Sequence, residues 1–133
     1  MSENTLKKII DKKIGRINKL KKIITIEDLK KKIAENKSYI NFKEKIEKNI
    51  QSNKISIIAE IKKASPSAGI IINEYDPLKI AEIYNSNDAT CLSVLTEEDF
   101  FFGDLKHISQ IKSKIKLPIL CKDFFIDPFQ IHL

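Results

Sequence analysis

Glu60 and Lys62 lie two positions apart at the end of an apolar run that begins at Ile55. On a β-strand, side chains two positions apart project from the same face. Removing a carboxylate and an ammonium group from water is costly, so an apolar segment needs a reason to end in such a pair. The pattern predicts either chemistry at the tip of a strand or a simple ion pair that closes it.

Two further features offer groups that bind anions or move protons. Lys122 ends another apolar segment, and there either a functional role or a surface lysine paired with Asp123 fits the sequence. The turn Ser65–Ser67 contains Pro66 and follows the first charged pair. A rigid Ser-Pro turn presents hydroxyl and backbone N–H groups to an anion, and ordinary turn chemistry is the other interpretation.

An alternation of strands and helices is predicted to position these residues. Three near-continuous apolar runs are typical of buried parallel strands, and helix-start signals that contain aspartate follow them. Strand, helix, strand, helix, strand is a parallel βαβαβ pattern. The predicted strands are 55–61, 89–95 and 119–122, and the helix starts are Asp76-Pro77, Gly103-Asp104 and Asp127-Pro128.

Residues 1–54 differ from the rest of the chain in charge. They hold sixteen lysines and arginines against seven acids, whereas residues 55–133 hold eight against eleven. A basic segment can indicate nucleic acid or an anionic surface. Here lysines alternate with isoleucines at helical spacing, which favours solvated faces of amphipathic helices near 5–22, 26–36 and after Ser38. We therefore expect no nucleic-acid partner.

Composition predicts a reducing compartment and no metal. Cys91 and Cys121 lie in predicted strands at a spacing that fits neither a metal site nor a secreted disulfide framework. His107 and His132 are far apart in predicted helical segments, where solvated side chains are expected. No apolar signal-peptide core and no run of about 18 apolar residues is found. A soluble cytoplasmic protein without membrane contact is expected.

Three segments resemble the indole-3-glycerol phosphate synthase family, whose members are (β/α)8 barrel (TIM barrel) enzymes of tryptophan biosynthesis. They are Ile57–Ser67, Cys91–Gly103 and Leu117–Gln130, in the family's order and spacing. A whole barrel typically needs about 250 residues, roughly 30 for each β/α unit. The resemblance thus implies an α/β fold: residues 1–54 as an N-terminal helical extension, and residues 55–133 as the first three units of a truncated barrel.

The resemblance also implies roles for five residues. Lys122 matches the family's general acid, Lys62 a lysine that contacts the anionic groups of the substrate, and Glu60 the carboxylate beside them. Ser65 matches a residue expected to touch the anthranilate carboxylate of the substrate. Phe101 matches an aromatic residue that packs on the substrate's benzene ring, whereas core or lid packing is its other interpretation.

The implied reaction converts 1-(2-carboxyphenylamino)-1-deoxyribulose 5-phosphate to indole-3-glycerol phosphate, carbon dioxide and water, without cofactor or metal. The family's later catalytic residues and its main phosphate-binding loops belong to strands beyond the third. We therefore expect the isolated chain to be inactive. A missing C-terminal barrel portion, or a fused isomerase domain, is the implied partner. Three alternatives remain: another phosphate-binding (β/α)8 enzyme of amino-acid biosynthesis, such as phosphoribosylanthranilate isomerase; a non-catalytic remnant; and a basic binding module.

Overall fold

The computed structural model describes residues 3–36 and 38–133, which form two compact units. One unit contains the described residues up to Tyr39 together with Phe124–Leu133, and the other contains Ile40–Asp123. The helices are α1 (Glu3–Leu20), α2 (Ile26–Glu35), α3 (Phe42–Gln51), α4 (Pro77–Ser86), α5 (Leu105–Lys112) and a 3-10 helix (Pro128–Ile131). The strands are β1 (Ile58–Ile61), β2 (Ala64–Ser65), β3 (Gly69–Ile70), β4 (Cys91–Leu95) and β5 (Ile119–Lys122).

A three-stranded parallel sheet organises the second unit. Its strand order is β1-β4-β5, so β4 lies between the other two strands. Glu60 pairs with Ser93 across β1 and β4, and Leu95 pairs with Lys122 across β4 and β5. The predicted parallel α/β arrangement is confirmed, although β1 and β4 begin two to three residues later than the apolar runs suggested.

The two faces of this sheet have different surroundings. Because side chains alternate along a strand, one face carries Ile61, Leu92 and Val94, which are buried against helices α4 and α5. On the opposite face, Ile58 and Leu120 remain 48% and 47% exposed. The helix-covered face therefore forms the main core of the unit. Its buried members are Ala59, Ile61, Ala81, Leu92, Val94, Ile111, Ile115 and Leu117.

Aspartate caps fix where α4 and α5 begin. The Asp76 carboxylate accepts a hydrogen bond from the Lys79 backbone N–H at 3.0 Å, and Pro77 occupies the first turn of α4. Asp104 accepts from the Lys106 N–H at 2.8 Å at the start of α5. Both predicted helix starts are confirmed.

The other unit joins N-terminal helices to the last residues of the chain. Ile17, Leu29 and Phe129 form its buried cluster. The Lys21 ammonium group pairs with the Asp127 carboxylate at 2.6 Å, which contributes to holding the pKa of Asp127 below its ordinary value. No helix among the described residues is both long enough and apolar enough to cross a bilayer.

Replacing Asp76 with alanine tests the capping of α4. The substitution leaves the Lys79 N–H without its acceptor, so we expect the free energy of unfolding to fall by about 1 kcal/mol. Urea denaturation of the purified chain, followed by circular dichroism, measures this change. Asp76→Asn keeps an acceptor oxygen at the same position and is the matched control. Equal losses in the two variants would contradict the capping role.

Candidate functional site

Glu60, Lys62 and Lys122 meet at the carboxyl-terminal edge of the parallel sheet. The Lys62 ammonium nitrogen lies 3.1 Å from Glu60 Oε1, and the Lys122 nitrogen lies 2.5 Å from Glu60 Oε2. One carboxylate therefore pairs with two ammonium groups that lie 60 positions apart in the sequence. We call these three side chains the charged triad. The structure brings together the three residues that the sequence singled out as catalytic candidates.

Electrostatics within the triad favour the ionised carboxylate. Partial burial raises the pKa of Glu60, but the hydrogen bonds from Lys122 and then Lys62, with the charges of both lysines, together lower it by more. The pKa of Glu60 therefore lies below its ordinary value of 4.5. The carboxylate remains ionised near neutral pH and can orient both ammonium groups.

Solvent reaches all three side chains. The side chains of Lys122, Lys62 and Glu60 are 53%, 32% and 30% exposed. Partly exposed ion pairs of this kind contribute less than about 1 kcal/mol each to stability. The three charges at this edge therefore add little to the stability of the fold. Their exposure leaves them accessible to a polar ligand.

The backbone around the triad is held by hydrogen bonds that the sequence did not reveal. The Tyr84 hydroxyl on α4 donates to the Glu60 carbonyl oxygen at 3.1 Å. The buried Thr96 hydroxyl donates to Asp123 Oδ2 at 2.8 Å, which links the segments that follow β4 and β5. These bonds fix the strand ends from which Glu60 and Lys122 project. Tyr84 has no motif that would have identified it, because its contact is formed only in three dimensions.

Ser65 lies in a two-stranded hairpin rather than in the charged triad. Strands β2 and β3 pair with Ser65 opposite Gly69, and the Ser65 hydroxyl accepts from the Ala68 N–H at 3.1 Å. Its oxygen also lies 3.3 Å from the Ser67 hydroxyl oxygen. The hydrogen bonds of the Ser65 hydroxyl thus remain inside its own turn, on the loop that follows β1.

Phe101 lies in the loop that follows β4, and this loop is organised by Glu97. Glu97 is fully buried, and its two carboxylate oxygens accept backbone N–H groups from Asp99, Phe100 and Phe101. Phe101 is partly buried. Sequence reasoning missed Glu97; the available signal was a carboxylate two residues after a buried strand and four residues before Phe101.

Carboxylate oxygens of Glu97, Glu98 and Asp99 lie within 4.8 Å of one another. Such acidic groups are common without a metal, and the Glu97 oxygens are already engaged by three backbone N–H groups. We therefore assign no metal site to them.

His107 differs from the solvated helix residue that the sequence suggested. Its ring packs edge-on against Tyr75 with centroids 5.6 Å apart, and Nδ1 is buried without a hydrogen-bond partner among the described residues. Burial lowers the pKa of His107, while the charge of Asp104 raises it and that of Lys63 lowers it further. The expectation of full solvation is wrong for this residue because its ring packs against Tyr75, which shields part of it from water.

A polar cleft of about 500 Å³ lies at the opposite, amino-terminal end of the sheet. Lys45, Lys54 and Asp88 are the charged residues in its lining. Thr90 and Leu117, which precede β4 and β5, also line it. The cleft is therefore separate from the charged triad, which lies at the carboxyl ends of the same strands.

Fold and site together define a class of protein. Parallel α/β proteins bind ligands and place catalytic groups at the carboxyl ends of their strands, and the charged triad occupies that edge. The chain matches the family model described as indole-3-glycerol phosphate synthase over residues 6–133. It belongs to this family, whose TIM-barrel fold agrees with the parallel βαβαβ arrangement observed here.

Curated relatives named indole-3-glycerol phosphate synthase align with nearly the whole chain. The relative from Desulforamulus reducens is 42% identical over 127 residues, which cover 96% of this chain and 47% of the relative. The relative from Acaryochloris marina is 37% identical over 130 residues, with coverages of 98% and 42%. One from Prochlorococcus marinus (strain AS9601) is 41% identical over 133 residues, with coverages of 98% and 44%. The chain spans slightly less than half the length of these relatives.

The lowered pKa of Glu60 predicts a specific acid dependence of stability. Since the folded state favours the ionised form, this contribution is fully present above the unfolded pKa near 4.5 and is lost as the pH falls through the lower folded value. Glu60→Gln removes the titrating group, so stability should fall less steeply than in the parent below about pH 5. Urea denaturation between pH 6 and pH 3 measures both slopes, and Glu60→Asp, which keeps the charge, is the control. Identical slopes in the parent and Glu60→Gln would contradict the prediction.

Proposed function

We propose that this protein acts in the indole-3-glycerol phosphate synthase reaction and supplies the first part of its active site. The observation that carries the proposal is the pairing of the Glu60 carboxylate with both Lys62 and Lys122 at the carboxyl-terminal edge of a parallel sheet. The substrate, 1-(2-carboxyphenylamino)-1-deoxyribulose 5-phosphate, carries a carboxylate and a phosphate. An edge with two cations and one anion is electrostatically suited to it.

The reaction needs a proton at one defined oxygen. The ring carbon that carries the carboxylate attacks the C2 carbonyl carbon, and the carbonyl oxygen gains negative charge as the new carbon–carbon bond forms. A proton delivered to this oxygen makes it a hydroxyl group. Loss of carbon dioxide from the attacking carbon then restores aromaticity of the benzene ring. The new hydroxyl group takes up a proton and leaves as water, and a proton leaves C1, so that the C1–C2 double bond completes the pyrrole ring.

Lys122 is the proton donor in this proposal. Its ammonium group projects from the end of β5 and is held by Glu60, so its position is defined before the substrate binds. Lys62 binds the anionic groups of the substrate and assists proton transfer. Glu60 orients both ammonium groups, and its ionised state keeps a counter-charge beside them.

Ser65 and Phe101 bind the aromatic end of the substrate in this proposal. The Ser65 turn follows β1 at the same edge of the sheet as the triad and offers a hydroxyl and N–H groups to the anthranilate carboxylate. The loop of Phe101 leaves the central strand β4, and an aromatic side chain there can hold the benzene ring against the carbonyl carbon.

We further propose that the chain forms the N-terminal part of a (β/α)8 barrel, with residues 1–54 as a helical extension and 55–133 as the first three units. Within the described residues, β1 and β5 each pair with β4 alone, which leaves two open sheet edges. The face that carries Ile58 and Leu120 is half exposed, and the buried Ser93 hydroxyl has no hydrogen-bond partner in the part of the chain that the structure describes. Further barrel strands would cover this face and these edges.

The remaining barrel segment is then the partner that completes the site. It would supply the family's later catalytic residues and its phosphate-binding loops, either as the continuation of the chain or within a parent fused to an isomerase domain. The substrate is a small phosphorylated molecule, and we propose that the reaction takes place in the cytoplasm without nucleic-acid or membrane partners.

A chimera tests the proposed function. Residues 1–133 are joined to the part of the Desulforamulus reducens relative that follows its matched segment, and we call this protein the chimera. We expect the purified 133-residue chain to show no turnover of the substrate and the chimera to release indole-3-glycerol phosphate, measured by indole-ring fluorescence. The native relative is the positive control. Turnover by the chain alone, or a folded but inactive chimera, would contradict the proposal.

Separate substitutions of the two lysines in the chimera test their roles. Lys122→Ala should lower kcat by about 10²–10⁴-fold, with little change in substrate binding, because general acid catalysis is lost. Lys62→Ala should weaken substrate binding by roughly 10–100-fold through loss of a charged hydrogen bond. Steady-state kinetics and direct titration of the substrate measure the two effects. Lys79→Ala, on the exposed side of α4, is the matched control. Equal effects of Lys122→Ala and Lys79→Ala on kcat would rule out the assigned proton donor.

A further inference from the structure

Glu97 is a fully buried carboxylate whose hydrogen-bonding capacity is directed at its own loop. Oε1 accepts from the Asp99 N–H at 3.0 Å, and Oε2 accepts from the N–H groups of Phe100 and Phe101 at 2.7 and 3.0 Å. A buried carboxylate is costly unless it is hydrogen-bonded, and three N–H donors provide this compensation. The side chain thus holds the turn that contains Phe101 in place. We call these three hydrogen bonds the Glu97 bracket.

Two further constraints close the same loop onto the end of β4. The Gly103 N–H donates to the Glu97 carbonyl oxygen at 2.7 Å. A Cβ atom at Gly103 would lie 2.3 Å from the Leu95 carbonyl oxygen, so only glycine allows this approach. Phe102 adopts a left-handed conformation with φ of 53°, which is unfavourable for a residue with a side chain. The loop therefore holds an unfavourable backbone geometry, and the Glu97 bonds are suited to maintain it.

The loop leaves the sheet at the same carboxyl-terminal edge that carries the triad. It leaves β4, the central strand, and the neighbouring strands carry Glu60 on one side and Lys122 on the other. The Glu97 carboxylate itself is buried and its oxygens are engaged by backbone donors. Glu97 is therefore poorly placed to transfer a proton to a substrate. All of its observed side-chain hydrogen bonds instead hold the neighbouring loop.

We propose that Glu97 is a positioning residue that fixes Phe101 against the aromatic ring of the substrate and so sets the affinity for that ring. The inference rests on the proposed function, because it needs Phe101 to contact the ring. Only a carboxylate fits the bracket: in glutamine, an NH₂ group replaces one acceptor oxygen and would face a backbone N–H donor. The bracket acts on binding, since the ring contact exists before and during the reaction.

Glu97→Gln in the chimera is the main test, with Glu98→Gln as the matched control for the same chemical change one residue along. We expect Glu97→Gln to raise KM about tenfold with a much smaller change in kcat. The reason is that the contact of Phe101 with the substrate ring is present in both the ground state and the transition state, so its loss weakens both equally. The affinity for anthranilate, measured by titration, should fall by a similar factor, whereas the affinity for glycerol phosphate should not change. General loss of structure would weaken both ligands, so this difference separates positioning from collapse.

Two additional measurements do not depend on turnover. Amide hydrogen exchange in the 133-residue chain should accelerate at least about tenfold for residues 99–101 in Glu97→Gln and remain as in the parent in Glu98→Gln. Phe101→Ala in the chimera should reproduce the KM effect, and adding Glu97→Gln to it should cause little further change. If Glu97→Gln prevents folding, Glu97→Asp, which keeps the charge on a shorter side chain, takes its place in the same tests.

The outcomes separate the inference from the proposed function. Unchanged KM, anthranilate affinity and amide exchange in Glu97→Gln, with an active parent chimera, would overturn the role of Glu97. Faster exchange with unchanged anthranilate affinity would also overturn it, since the loop would then not control the ring contact. An inactive parent chimera would count against the proposed function, while exchange and anthranilate binding would still decide whether Glu97 positions Phe101.

Discussion

The candidate site depends on the register of the parallel strands β1, β4 and β5. Glu60 and Lys122 belong to strands that are not neighbours, and two strand spacings of about 4.8 Å separate their backbones. Long side chains bridge this distance over the central strand, on the face that carries Ser93 and Leu95. A slip of one residue in either pairing would turn one partner to the opposite face, into the apolar core under α4 and α5. The charged triad is thus a direct consequence of strand register.

The core and the site share strands but use opposite faces. The alternation of side chains sends Ile61, Leu92 and Val94 into the helix-covered core, and this burial supplies most of the stabilisation of the unit. The same alternation sends Glu60 and Lys122 to the other face, where partly exposed ion pairs add little stability. Packing therefore fixes the site without depending on its charges. Helix α4 contributes to both, because Tyr84 contacts the core and donates a hydrogen bond to the Glu60 carbonyl oxygen.

Patterns local in sequence predicted much of the fold and the central part of the site. Apolar runs and aspartate caps located the sheet strands and the starts of α4 and α5, because these signals act within a few residues. The helix expected after Ser38 begins at Phe42 and is capped by Asn41, because Asn and Ser are both good cap residues and the sequence there offers both. The hairpin around Ser65, the contact of Tyr84 and the bracket formed by Glu97 were not predicted. Each depends on loop geometry or on a partner distant in the chain, which a single sequence does not specify.

Charge balance gives the triad a preference for an anionic ligand. Two ammonium groups share one carboxylate, so the triad carries a net positive charge at a partly exposed edge. Each ammonium group has three N–H donors and uses one of them on Glu60, which leaves donors for a ligand without breaking the existing pairs. An anion that binds there neutralises the excess charge and is held beside Lys122, whose position Glu60 has already fixed. In the proposed reaction, anion binding and proton donation would therefore not compete for the same bonds, because Glu60 occupies one N–H donor of each ammonium group.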